Sequence, residues 1–436
     1  MSRGATALAL ALSLLWAGCS DEDGAAGTES IRYEAAALCE RRPELPCGPT
    51  SELVQSPPVV VAPSDAMPEG VTSQIAHNNL DIAWHDDGDG GRLFFAFRTG
   101  PNHFAAPGVV MYIVSSADLL TWRKEGEVAI GTDVREPQLV SIGGELLFFY
   151  VVLGADPLDF EPRGTKVMRW LGPGHFSEPE DIFEPGFLVW RIKPLDQPGH
   201  EAGWLQAFGY SGGENIYDFD GDPIRVSWLK SRDGLTWEPV DAEREVVLEG
   251  GASETDAVFL PDGRLIALAR NEAGDDEGFG SKVCRGEAAS PADWTCAFDT
   301  KKYDSPLVFA HEGTPYLIGR RNLTETGDYD LGEVDKPLRD RALANQLDYW
   351  QRPKRCALWR IDPDTLRLVW LFDLPSAGDT CFPEALRLSR DRWLVFNYTS
   401  PTSTEPDSED PSWLDGQLGP THIYWTVLGF PDLASD

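Results

Sequence analysis

The chain is poor in positive charge. Its 436 residues carry 37 Lys and Arg against 71 Asp and Glu, a formal net charge of −34. Phosphate backbones require a basic face, so this balance rules out nucleic acid as the default partner, and none is expected. Long apolar runs are scarce too: the longest lies at the N-terminus and is too short to span a bilayer. No two cysteines stand at the two-residue spacing of a metal knuckle, which argues against zinc. No segment carries a long helical period, which argues against an α fold. Asp218-Phe-Asp220-Gly-Asp222 has the start of a calcium loop without its twelve-residue frame or terminal Glu, so no metal is assigned, and no cofactor is expected. What the chain does hold is 42% apolar and 11% aromatic residues with 42 Gly and 33 Pro, too apolar for an acidic disordered chain. A folded, turn-rich body follows.

Residues 1–19 place Arg3 before an apolar run that ends in Ala17-Gly18-Cys19. This reads as a secretory signal over residues 1–18. The small pair before Cys19 resembles the bacterial lipobox, which implies acylation of Cys19 and a protein held in the cell envelope, outside the cytoplasm, touching the membrane through its anchor alone. An ordinary signal peptide with a bystander cysteine is the alternative. The cysteines number seven, an odd count for an exported chain unless one thiol is otherwise occupied. With Cys19 lipidated, six can pair. The spacings of Cys39/Cys47 and Cys284/Cys296 point to two local loops and leave Cys356/Cys381 as the third bridge, although sequence alone allows 15 connectivities. Residues 19–57 are expected to be the lipidated cysteine and a flexible acidic linker, with structure starting near Val59 and one domain over residues 58–436.

That domain repeats. Each unit has a charged or polar motif, an apolar strand, a Gly/Asp hairpin, a second apolar strand and a polar residue at its end. The first copy runs from Asp81 to Arg98. The second runs from Arg135-Glu136-Pro137 through Gly143-Gly144 to Tyr150, and the third, looser, from Trp190, Arg191 and Lys193 to Tyr210. Glu254 and Asp256 open the fourth, which turns at Pro261-Asp262-Gly263 and ends at Arg270. Asp304 opens the fifth, ending at Arg320, and Phe382 with Glu384 opens the sixth, ending at Tyr398. Starts at 81, 135, 191, 254, 304 and 382 are 54, 56, 63, 50 and 78 residues apart. Six copies of one β-meander predict an all-β, six-bladed β-propeller, with five blades as the alternative, because a lone sheet would leave two apolar faces bare. The surplus length near residues 325–354 should be an elaborated loop. A monomer is expected.

Ser231-Arg232-Asp233-Gly234 with Thr236-Trp237, and Ser116-Ala117-Asp118 with Thr121-Trp122, resemble the Asp-box of sialidase-like propellers, a turn motif with a packing role. With the blades, these strings make residues 75–428 similar to sialidase-like glycoside hydrolases and to the arabinanase–invertase type. That resemblance implies an axial pocket where carboxylates of different blades meet, here Asp81, Glu136 and Glu254. Glu254 would be the general acid, Asp81 the base that activates water, and Glu136 an orienting group. Arginines clamp the substrate carboxylate of sialidases, which carries over to Arg98, Arg270 and Arg320 or Arg321. Arg135, His103 and Tyr398 complete the expected substrate contacts, although loop packing for His103 and blade packing for Tyr398 stay open. Phe382 stands where sialidases have their nucleophilic Tyr, and a phenyl ring cannot attack. The expectation is a carbohydrate-active enzyme, a glycoside hydrolase on an anionic or oligomeric glycan; the alternative is a non-catalytic surface protein that binds glycan or protein through the same pocket.

Overall fold

The structure, a computed structural model, describes residues 34–157, 159–212, 223–402 and 410–431. Cys19, the signal segment, the acidic stretch at 20–30 and the aspartates at 218–222 lie outside them. Six antiparallel sheets form a ring, a six-bladed β-propeller. The first blade comprises Ala76–His85, Arg92–Gly100, Val110–Ser116 and Arg123–Val128. The inner strands of the next five are Val134–Ile142, Leu188–Pro194, Thr255–Phe259, Leu307–His311 and Glu384–Ser389. These apolar runs are buried on both faces between neighbouring blades, as with Phe94, Ile113, Phe148 and Tyr150 between blades one and two.

The repeated polar motif has a structural use. Asp81 accepts a hydrogen bond from the Leu139 amide of the next inner strand. Gln138 Oε1 accepts from the Ile192 amide at 2.9 Å, and Asp256 Oδ2 from the Val308 amide at 2.6 Å. Each bond ties one inner strand to another and satisfies a buried amide, contributing roughly 1.5–3 kcal/mol when the acceptor is charged.

Above these ties the strand entries bulge. Asn79, Glu136, Ser305 and Cys381 hold φ of 36°, 47°, 52° and 80°, and the pairing register slips at Asn79 and around Glu136. Left-handed backbone at non-glycine residues is costly and gathers where side chains must be re-aimed, as bulges do.

The two Ser-x-Asp turns bond alike. Ser231 Oγ accepts from the Gly234 amide at 2.8 Å and Asp233 Oδ1 from those of Leu235 and Thr236, both at 2.8 Å. In the other turn Leu119, at φ 62°, fills the place of Gly234 at φ 71°. A Cβ on Gly234 would lie 2.3 Å from a Leu147 methyl, so glycine is needed only in the second turn.

Ordered structure starts earlier than Val59. A helix, Ala37–Arg41, follows the Ala35 amide bond to Arg387 O at 2.8 Å. The strands Val54–Gln55 and Val59–Ala62 pair with His422–Gly429 and close the sixth blade with N-terminal chain. The expected linker is therefore corrected from residue 34 onward: edge pairing and the Cys39–Cys47 bridge hold a segment that has no periodicity of its own. Cys284–Cys296 and Cys356–Cys381 are the other two bridges, the pairing the spacings suggested. The elaborated loop contains a helix, Leu338–Trp350, that buries Ala342, Asn345 and Tyr349 and leaves Leu343 and Leu347 exposed. Its leucines stay exposed while Ala342 and Tyr349 face inward, so no helical pattern announced it.

Candidate active site

A cavity of about 430 Å³ opens at the end of the axis where the inner strands begin. Glu136, Glu254, Arg135, Arg270, Arg320, His103 and Tyr398 line it, with Asn79, Phe382 and Trp413. The bulges explain the convergence: Asn79 and Glu136 sit on left-handed backbone and Asn79 Nδ2 donates to Glu136 Oε2 at 3.2 Å. Burial and the nearby negative charge of Glu254 push the Glu136 carboxyl up to about 7, against the opposing pull of Arg135.

Glu254 is held differently. Its Oε1 lies 2.7 Å from Arg270 Nη1, and its Oε2 accepts from the Ser305 amide at 2.8 Å. Burial raises its pKa, Arg270 opposes that, and Asp304 adds to it. Arg270 also donates to Ser253 Oγ at 3.1 Å. Arg320 donates to Asp304 Oδ2 at 2.8 Å and to Thr380 O at 2.6 Å. Asp304 receives Tyr349 Oη at 2.7 Å from the inserted helix, and the cations Lys302, Arg320 and Arg270 outweigh its burial and hold it at about 2.

Also in the cavity wall, His103 Nδ1 stands 2.7 Å from Asp379 Oδ2. Asp379 Oδ1 accepts from Tyr398 Oη at 2.8 Å and Trp413 Nε1 at 3.2 Å. Burial alone would raise the Asp379 pKa, but His103 and Arg320 hold it below the usual carboxylate range.

Three expected site residues lie elsewhere. Asp81 is below the cavity floor, occupied by the Leu139 amide and facing Glu384 and Arg191; burial first, then the Glu384 charge, raises its pKa well above the usual range. Arg98 is fully buried, donating to Asp133 at 2.8 Å, Asn78 and Asn102 O at 3.2 Å, and Phe104 O at 2.9 Å. Arg321 points to the outer side of its blade, where it meets Asp373 at 2.7 Å and lies over Trp370. Strand alternation separates it from Arg320. Arg135 is the third arginine of the cavity. Its Nε donates to Asp133 at 2.5 Å and its Nη2 to His103 O at 2.7 Å. Asn79, Asp379 and Trp413 were not anticipated as site residues; the only signal was the place of Asp379 three residues before Phe382.

A larger cavity, about 700 Å³, opens at the opposite end of the axis among Trp84, Lys193, Phe259, Phe309 and Trp393. Lys193 is already paired there with Asp256 at 2.5 Å, and the lining of this cavity carries Glu384 and Arg387 but none of Glu136, Glu254, Arg135, Arg270 or Arg320.

The fold and site define a six-bladed propeller with an ionisable pocket at one end of its axis. No protein-family model matches the chain, and no curated protein matches it in sequence. Solved structures match its fold. A protein of unknown function from Dyadobacter fermentans is similar with TM-score 0.54 and 15% identity, over 87% of this chain and 99% of that one. Trypanosoma rangeli sialidase is similar with TM-score 0.50 and 12% identity, over 87% of this chain and 60% of the sialidase. A Penicillium chrysogenum alpha-L-arabinanase complexed with arabinobiose gives 0.46 and 12%, over 85% and 98%. For the first two, at these identities, the likeness is one of fold.

Proposed function

We propose that the protein is a glycoside hydrolase that acts on an anionic glycan in the 430 Å³ cavity. The observation that carries this reading is the meeting of Glu136 and Glu254 from different blades beside Arg135, Arg270 and Arg320. Glycoside hydrolysis needs one carboxyl that stays protonated and a charged group facing the oxocarbenium-like transition state. Glu136, raised to about 7 by burial and by Glu254, supplies the proton to the leaving oxygen. Glu254, anchored by Arg270 and the Ser305 amide, supplies the fixed negative charge. The acid role expected of Glu254 thus passes to Glu136, and Asp81, whose carboxyl group is spent on a strand-to-strand bond, has no part in the chemistry. Arg135, Arg270 and Arg320, with Tyr398, hold the substrate, because guanidinium groups match anionic oxygens in bidentate geometry. Neutral aromatic surface at Phe382 and Trp413 suits the apolar face of a sugar ring.

The same proposal places the protein outside the cytoplasm as a monomer, anchored by acylated Cys19. Three disulfides fit an oxidising compartment. The test is a panel of 4-methylumbelliferyl glycosides: sialoside, glucuronide, fucoside and arabinofuranoside. Release of fluorophore from an anionic member in preference to the neutral ones supports the reading. No release from any member contradicts it.

A further inference from the structure

The carboxylates do not exhaust the chemistry of the cavity. Glu254 and Asp379 each have both oxygens engaged by protein donors. Glu254 is therefore fixed as a charge, and Phe382 offers no nucleophile where a tyrosine would stand. His103 is different. Its Nδ1 is bound to Asp379, whereas among the described residues its Nε2 has no hydrogen-bond partner, and the ring lines the cavity with about 12% of its side chain accessible.

The surroundings fix that ring. The carbonyls of residues 102 and 104 accept from Arg98, and His103 O accepts from Arg135. The His103 amide donates to Gln417 O at 2.9 Å. Asp379 is fixed in turn by Tyr398 and Trp413. A carboxylate that accepts Nδ1–H selects the tautomer whose Nε2 lone pair faces outward, the arrangement that makes an imidazole a base. Asn78 Nδ2 lies 3.4 Å from the same Nδ1, a long contact beside the 2.7 Å one to Asp379, and His103 and Glu136 both line the cavity.

We propose that His103, oriented by Asp379, is the catalytic base that activates water for direct attack on the anomeric carbon, giving inversion of configuration. This rests on the hydrolase reading above. In the step, water forms the new C–O bond and gives its proton to His103 Nε2 while the glycosidic C–O bond breaks. The leaving oxygen takes the Glu136 proton, and exchange with solvent returns the proton from His103 to Glu136. Asp379 is a positioning residue that holds the ring proton on Nδ1 and leaves the Nε2 lone pair free, while burial disfavours the doubly protonated ring.

The experiment compares wild type, His103→Gln, His103→Ala and Asp379→Asn on the fastest 4-methylumbelliferyl glycoside, with the product anomer read by NMR before mutarotation. The expected results are an inverted product and a kcat loss of about 10²–10⁴-fold in His103→Gln with KM little changed. The acid limb of the rate profile should vanish, and added imidazole should restore part of the His103→Ala rate. Asp379→Asn should lower kcat with KM little changed, a split that a loss of stability alone does not produce. Retention of configuration, or a His103→Gln enzyme within about threefold of wild type with its acid limb intact, overturns the base assignment alone. No turnover by wild type overturns the hydrolase reading and this assignment with it.

Discussion

Replacing Arg98 by Lys isolates what a buried arginine does when it is not in the pocket. Arg98 donates four bonds, one to Asp133 and the others to Asn78 and to the carbonyls flanking His103. A lysine ammonium can keep the ion pair with Asp133 but cannot also span to residues 102 and 104, because its three donors leave from one point. Two or three charge-assisted bonds are lost, each about 1.5 kcal/mol at the low end, and partial relaxation leaves a net cost of about 3 kcal/mol. At an unfolding entropy of about 2.1 cal/mol/K per residue, a domain of about 400 residues should then melt about 4 °C lower. Scanning calorimetry reads the shift, and hydrogen exchange should show the 102–104 amides opening first. A shift below about 1 °C with unchanged exchange would refute the claim that Arg98 holds this loop.

Other perturbations test separate parts of the account. Glu136 has a folded pKa of about 7 against 4.5 when free, so its stabilising proton is fully present below 4.5 and lost as pH rises through 7. Glu136→Gln should therefore remove a decline in stability across that window, measured by melting temperature from pH 4.5 to 8; parallel curves for both proteins would disprove the shift. Deleting residues 34–62 should abolish cooperative unfolding, since it strips the strand His422–Gly429 of its partners and bares a sheet edge. Circular dichroism on heating would show otherwise if the sixth blade closes without them. Cys19→Ser should release the protein from membranes, and mass spectrometry of wild type should find an acylated N-terminal cysteine. An unmodified thiol there would sink the lipid anchor.

The repeat was legible because each blade spells the same order of polar motif, apolar strand, turn and apolar strand, so six starts gave six sheets. Glu136 and Glu254 were legible because they open two of those copies. Asp81 opens another and does not reach the cavity. The motif marks where an inner strand enters the ring, but the bulges at Asn79 and Glu136 decide which side chain of each entry turns inward, and no composition or period encodes a positive φ at Asn79. Arg320 and Arg321 were inseparable for a similar reason, since choosing between them requires the register of one strand. Asp379 and the Leu338–Trp350 helix were hidden because their partners, His103 and the cavity wall, are distant in sequence.

The central claim is that Glu136 delivers the proton that breaks a glycosidic bond in this cavity. Its most direct test is turnover and calorimetric affinity of wild type and Glu136→Gln for the best anionic 4-methylumbelliferyl glycoside. The account predicts turnover lower by about 10²–10⁴-fold with a Kd within about threefold, because glutamine keeps the shape and loses the proton. Turnover unchanged by the substitution would contradict it.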